Sequence, residues 1–246
     1  MTGSTKVTGI VLATMPIGDY DKRLTILTKE RGKITAFAKG ARKPNSALLA
    51  CSQPFTFGEF EIYEGKTAYN VISANISNYF AELREDIRYV YYGLYFCEFS
   101  DYMTREGNDE REVMRLLYQS LRALTNPHIG VELVRYIFEL KIISLSGEGP
   151  QVFECVRCGK EEKLHRFSAE RGGMICDDCK SSANDLMYID DSTVYTMQYI
   201  ISSSVEKLYT FTVKKEVLAE LKKVVDHYRR LYVDHTMKSL ELLSIL

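Results

Sequence analysis

Two cysteine pairs constrain this chain more than any other feature. Cys155-Val156-Arg157-Cys158 and Cys176-Asp177-Asp178-Cys179 each hold two residues between thiols, and residues 159–175, 17 in all, separate the pairs. Two intervening residues let a chain curl until both sulfurs face one ion, and two such knuckles complete a tetrahedron. This is the spacing of a structural zinc ribbon. Four thiolates leave no open position for an activated water, so the expected cofactor is one structural Zn²⁺ held by Cys155, Cys158, Cys176 and Cys179, with a stabilising and not a catalytic role. Disulfide pairing, an unligated thiol cluster and iron are the competing readings of the same spacing. Gly159 can relieve the first knuckle and Gly172-Gly173 can turn the chain back. His165 lies between the pairs but is surplus to a four-sulfur shell.

The other candidates for covalent chemistry are weak. Cys51 and Cys97 stand alone, and a buried free cysteine is a small hydrophobe that needs no reaction. The histidines at 128, 165, 227 and 235 show no spacing with a serine or cysteine nucleophile. No phosphate-binding loop or dinucleotide fingerprint occurs; Gly32-Lys33 and Gly65-Lys66 lack the flanking glycine and hydroxyl. Asp177-Asp178 and Asp190-Asp191 match neither an EF-hand nor a two-metal site and read as solvated or salt-bridged. No catalytic residue is therefore expected. The amino end lacks a secretory pattern and no segment is apolar enough to span a bilayer, so a cytoplasmic protein without membrane contact is expected.

The hydrophobic period changes once along the chain. From Val7 to about Tyr79, VTGIVLAT, RLTILT, KITAFAKG, FTFGEFEIY and TAYNVISA read as five short strands separated by turn residues, with Lys29 to Gly32 as a hairpin connection. Leu24 and Ile26 would share one face, with Thr25 and Leu27 on the other. Five strands in this length suggest a small barrel, OB-like or SH3-like by count alone. After Tyr79 the spacing becomes helical, over residues 81–103, 110–124 and 131–145, then again over 214–233 and, in a short final segment, Lys238 to Ile245. Residues 181–204 could form helix or strand. The expected class is α+β: an OB-like nucleic-acid-binding domain at 1–80, a helical domain in two parts, 81–150 and 183–246, and the four-cysteine ribbon inserted at 151–182.

Charge is balanced overall, with 32 Lys plus Arg against 33 Asp plus Glu, so any attraction to a polyanion must be local. Between positions 22 and 43 it is: Lys22, Arg23, Lys29, Arg31, Lys33, Lys39, Arg42 and Lys43 face a single acid, Glu30. Arranged on a barrel, these side chains could follow a phosphate backbone and release its counterions. The bland reading is a solvated charged hairpin. Phe37 and Phe55 are candidates for base stacking, although their strand context also suits burial.

The assembled order resembles the bacterial RecO family of DNA recombination and repair proteins, in its zinc-ribbon-containing branch. The resemblance rests on VTGIVLATMPIGDYDKRLTILTKERGKITAFAKGARKPNSALLACSQPF, FELKIISLSGEGP, CVRCG, RFSAERGGMICDDC and HTMKSLELL, which together span most of the chain. It implies an amino-terminal OB fold joined to a helical domain, and binding of single-stranded and double-stranded DNA through the eight basic residues named above. It further implies strand annealing and cooperation with RecR in loading RecA onto DNA coated by single-stranded DNA-binding protein, whose acidic, apolar tail the helical domain would receive. Association with the nucleoid during repair follows from the same resemblance. The competing function is a zinc-stabilised protein-interaction or transcriptional adaptor without annealing activity; a metal-assisted nuclease ranks behind both.

Overall fold

In a computed structural model, residues 3–66 and 68–243 are described. Strand β1 (Thr5–Ile17) forms an antiparallel hairpin with β2 (Asp21–Thr28), and β2 with β3 (Gly32–Ala38). A four-residue helix, α1 (Leu48–Cys51), leads to β4 (Phe57–Glu64) and β5 (Tyr69–Asn78). The candidate strand beginning at Thr67 thus starts at Tyr69, Thr67 itself lying outside the described residues. The strands close in the order β1-β2-β3-β5-β4, with β3 parallel to β5 and β4 returning to β1. That is OB order, and it settles the choice that strand count left open.

Closure depends on the length of β1. Its first half pairs with β4 (Thr5↔Ile62 to Ile10↔Phe57) and most of its length with β2 (Gly9↔Thr28 to Ile17↔Asp21). A bulge between Val11 and Ala13 bends it from one neighbour towards the other. Inward positions build the barrel core, including Val7, Val11, Leu24, Ile26, Ile34, Phe60, Ile62 and Val71.

Leu27 falls on the opposite face from Leu24 and Ile26, as the alternation requires, yet it is fully buried, as is its cross-strand neighbour Ile10. Helices α2 (Ile87–Met103) and α3 (Arg111–Leu124) lie over this part of the outer surface, α2 against β1 and α3 against β1 and β2. Covering each of these two side chains contributes about 2 kcal/mol. Asp86 caps α2 through the Arg88 amide, at 2.8 Å. The connection between α2 and α3 docks on the β2–β3 hairpin: the Lys33 amide donates to the Arg105 carbonyl at 3.0 Å and the Gly107 amide to the Arg31 carbonyl at 3.0 Å.

The described residues cluster into two compact units, one running to Thr125 and resuming at Met237, the other spanning Asn126–Thr236. The resumed segment forms α7 (Lys238–Leu243), which packs on α2. The Glu98 carboxylate accepts from the Lys238 and Ser239 amides at 3.0 and 2.9 Å, capping α7 from a distance in sequence. Residues 244–246, where the last helix was expected to continue, lie outside the described residues.

The second unit packs α4 (Val131–Leu145), α5 (Asp191–Ser202) and α6 (Lys215–Tyr232) together beside a three-stranded sheet of order β7-β6-β8 (Gly173–Ile175, Arg166–Ser168, Met187–Tyr188). The ambiguous stretch at 181–204 thus supplies a short strand and then a helix. Two polar residues of α4 are buried. Lys141 donates to the Ile201 and Ser203 carbonyls, each at 2.7 Å, closing the carboxyl end of α5. Glu139 accepts from Arg135 Nε at 2.7 Å, and Arg135 also reaches Asp226 on α6 at 2.9 Å. No helix among the described residues is long and apolar enough to cross a membrane.

Gly32 combines a left-handed backbone with a close approach to another element. It has φ +65°, and a Cβ there would stand 2.4 Å from the Arg105 carbonyl oxygen. Gly32→Ala should therefore destabilise the protein by about 2–4 kcal/mol, measured by urea unfolding; a loss below about 0.5 kcal/mol would show that the hairpin contact is dispensable.

Candidate metal centre and nucleic-acid interface

The four cysteines of the ribbon converge. Cys155, Cys158, Cys176 and Cys179 place their sulfurs within 4.8 Å of one another, with Cys158 and Cys176 at 3.6 Å. Tetrahedral zinc with bonds of about 2.3 Å sets its sulfurs roughly 3.8 Å apart, so the donor set fits such an ion. Each knuckle is shaped by its own backbone. The Gly159 amide donates to the Cys155 carbonyl at 2.9 Å with Gly159 at φ +72°, and the Cys179 amide donates to the Cys176 carbonyl at 3.0 Å. The pairing of β6 with β7 then leads directly into Cys176.

The sulfurs are electrostatically unequal. Burial pushes the Cys155 thiol up, but amides of Cys176, Arg157 and Cys158 outweigh it and bring the thiol down to about 6. Burial and the neighbouring thiols push Cys179 up to about 12, and Cys176 is raised for the same reasons. Four thiols packed this closely cannot all ionise without a cation among them.

His165 is not a fifth ligand. Its Nδ1 lies 3.3 Å from Asp177 and its Nε2 3.3 Å from Asp191. Asp177 also pairs with Arg166, and Asp178 pairs with Lys160 at 2.7 Å. Asp190 caps α5 through the Ser192 amide at 2.8 Å. The acidic pairs are thus engaged in ion pairs and a helix cap. His227 faces Asp185 at 3.5 Å. Cys51 and Cys97 are both buried, and burial raises both thiols.

The eight basic candidates of the barrel fall into two groups. β2 carries Lys22 and Arg23 at one end and leads to Lys29 at the other, about 23 Å away at strand rise. Around the β1–β2 turn gather Lys22, Arg23, Lys39, Arg42 and Lys43. The Arg42 amide donates to the Tyr20 carbonyl at 2.8 Å and its guanidinium to the Gly18 carbonyl at 3.1 Å. Lys43 Nζ stands 5.5 Å over the Tyr20 ring, a cation–π contact with a residue that the charge count alone did not single out. Lys22 donates to the Ser52 carbonyl at 2.9 Å, and its amine is held below its usual value by burial and by Arg42. Asp19 and Asp21 share this turn, so the group carries a net three positive charges. Asp21 itself accepts from the Gly40 amide at 2.7 Å, fixing the loop that bears Arg42 and Lys43.

At the far end of the hairpin, Lys29 is exposed, but the other two cations are occupied. Lys33 pairs with Asp101 at 2.8 Å. Arg31 lies 5.3 Å over the Tyr69 ring, bonds its hydroxyl at 3.1 Å and approaches Glu64 at 3.5 Å. The structure thus brings five of the eight together and sets three apart. The two aromatic candidates also separate. Phe55 is buried, whereas Phe37 stands half-buried on the outer face of β3, directly across from Arg23.

Thiol access follows from this geometry. In metal-free protein, an alkylating reagent should modify exposed Cys158 first and leave Cys51 and Cys97 unmodified until unfolding; peptide mass spectrometry over time checks this, and early labelling of Cys97 would contradict its burial.

Comparison with known proteins agrees with the architecture. Residues 1–80 match the family described as Recombination protein O N terminal, and residues 84–241 match Recombination protein O C terminal. The DNA repair protein RecO of Alkaliphilus metalliredigens is 34% identical over 239 residues, covering 96% of this chain and 97% of the relative. The proteins of the same name from Bacillus pumilus and Bacillus subtilis are 32% and 31% identical, over 95% and 96% of this chain and 91% and 92% of their own lengths. With an OB barrel at its amino end and both matches laid end to end across nearly all of its length, the chain belongs to the RecO family of DNA repair proteins.

Proposed function

We propose that this protein is a DNA repair and recombination mediator. In this reading it binds single- and double-stranded DNA, anneals complementary strands, and helps RecR load RecA onto DNA coated with single-stranded DNA-binding protein. The observation that carries the reading is the crowding of Lys22, Arg23, Lys39, Arg42 and Lys43 around one turn of the OB barrel. Contacts to phosphate position a strand without consuming its base edges, and neutralising two polyanions lowers the repulsion that opposes their pairing. Salt-sensitive contacts also release the product duplex. No step in this reading makes or breaks a covalent bond, and the site of action is the cytoplasm, at the nucleoid.

In the same reading Cys155, Cys158, Cys176 and Cys179 hold one structural Zn²⁺, which supplies the cation that their packed sulfurs require. Recognition of the tail of single-stranded DNA-binding protein would need apolar surface beside a cation. A groove of about 740 Å³ between α5 and residues 210–217, lined by Tyr195, Tyr199, Phe211 and Val217 with Lys214 at its side, offers both.

The alternative is an interaction adaptor. Annealing of complementary oligonucleotides, measured with and without RecR and followed by RecA loading on coated DNA, separates the two: RecR binding with no annealing at any salt concentration would favour the adaptor. Replacing Lys39, Arg42 and Lys43 together by Ala should weaken oligonucleotide binding by about tenfold or more and reduce its logarithmic salt slope by about 2; unchanged isotherms across salt would remove these side chains from the phosphate path. Cys155→Ser or Cys176→Ser should lower zinc retention well below one ion per chain and destabilise the ribbon, checked by elemental analysis and thermal unfolding. Unaltered metal content would exclude the four-sulfur site.

A further inference from the structure

Of the strand-borne cations Lys22, Arg23 and Lys33, only Lys22 falls on the inward side of the barrel. It pairs with Pro16 and with Ala38, which is fully buried, whereas Arg23 points outward and is exposed. Its stem therefore runs into the end of the barrel where Ala41 and the α1 residues Leu48 and Cys51 join the core. The amine donates to the Ser52 carbonyl, just past α1, at 2.9 Å. Two ionisable groups act on it from the elements packed against it: Arg42 of the loop after β3, and the Cys51 thiol. Burial lowers the amine below its usual value, Arg42 lowers it further, and Cys51 opposes both. A lysine desolvated beside another cation is a stronger nucleophile near neutral pH, because more of it is uncharged. The Ser52 carbonyl engages one N–H of that uncharged amine and leaves its lone pair for an electrophile. Lys22 is half-buried, so a small reagent reaches it.

The surroundings select an anionic electrophile. Arg23, Lys39, Arg42 and Lys43 are all exposed around the same turn. Arg42 is already oriented: its amide donates to the Tyr20 carbonyl at 2.8 Å and its guanidinium to the Gly18 carbonyl at 3.1 Å, and neither partner neutralises it. Of the acids at the turn, Asp21 is engaged by the Gly40 amide at 2.7 Å. A guanidinium fork grips phosphoryl oxygens in pairs, and in an acyl phosphate the reactive carbonyl carbon is one oxygen away from phosphorus. We infer that Lys22 is an acylation site for small acyl phosphates, with Arg42 receiving the phosphoryl group. The Lys22 nitrogen attacks the acyl carbon; a C–N bond forms, and the bond from that carbon to the bridging oxygen breaks. Its electron pair leaves on phosphate, and the proton lost from nitrogen ends there too. The product amide keeps one N–H for the Ser52 carbonyl but carries no charge, so the net three positive charges of the turn fall to two. Acylation here requires nothing of the nucleic-acid reading, since a small anion and not a DNA strand is the reactant.

In the test, full-length protein is incubated with acetyl phosphate near neutral pH, and acetylation at each lysine is followed over time by peptide mass spectrometry. Lys22 should react at least about fivefold faster than Lys39 and Lys43, which are more exposed but lack its desolvated, carbonyl-bound amine. The N-hydroxysuccinimide ester of acetate, an uncharged donor, separates reactivity of the amine from recognition of phosphate. Arg42 is exposed, so Arg42→Gln leaves the core untouched; it should slow acetyl phosphate at Lys22 by about fivefold more than it slows the ester. Excess inorganic phosphate should protect Lys22 from acetyl phosphate and not from the ester. Acetylation of Lys22 no faster than of Lys39 and Lys43 would overturn the site. Equal slowing of both donors in Arg42→Gln would overturn the phosphoryl role of Arg42, and modification of Lys22 by the ester alone would overturn acyl phosphates as the reactant.

Discussion

Closure of the amino-terminal sheet through β1 is the constraint on which the rest of the first unit depends. A strand of 13 residues hydrogen-bonds β4 along one part and β2 along another, and its bulge makes the change of direction. Once the ring is closed, every strand residue has a defined side, because a slip of one residue would exchange inside for outside throughout. Inward residues make a core that Ala41 and the α1 residues Leu48 and Cys51 complete. Outward residues are then divided by what lies over them: Ile10 and Leu27 are buried, whereas towards the β1–β2 turn Ala13, Met15 and Arg23 stay exposed.

That division also sorts the cations. Lys33 and Arg31 lie where the hairpin meets the α2–α3 connection and carboxylates on neighbouring elements, so part of their charge is spent within the protein. Lys22, Arg23, Lys39, Arg42 and Lys43 gather where the surrounding groups are mainly backbone carbonyls, an aromatic ring and two acids. Carbonyls orient a cation without neutralising it; the Lys22 amine is lowered first by its burial and then by the neighbouring Arg42.

The second unit uses polar groups for positioning. Lys141 closes α5 from within the core, while Arg135 joins Glu139 to Asp226 and so fixes α4 against α6. In the ribbon, short backbone bonds shape each knuckle and a small sheet delivers the second cysteine pair to the first. Two clusters of different chemistry therefore sit on very different supports: soft sulfur donors fixed by tight local turns, and cations gathered around one turn of a barrel.

Much of this could be read from residues in order. The five strands, the helices and the four thiols are signalled by local period and spacing, since a strand alternates every two residues and a knuckle closes within four. Period alone could not show that Leu27, facing away from the barrel core, would be buried, because that depends on helices that start at Ile87 and Arg111, far along the chain. Nor could it place Lys141 and Glu139 inside, or part Phe37 from Phe55. The basic run was legible as charge but not as a surface: eight cations adjacent in sequence become five around one turn and three elsewhere, because β2 carries its two ends about 23 Å apart. Sequence by itself determined which elements form and which donors can share an ion, both being matters of a few neighbouring residues. Only the closed barrel and its covering helices decided which charges remain available and which outward side chains meet water, because both depend on contacts between segments far apart in the chain.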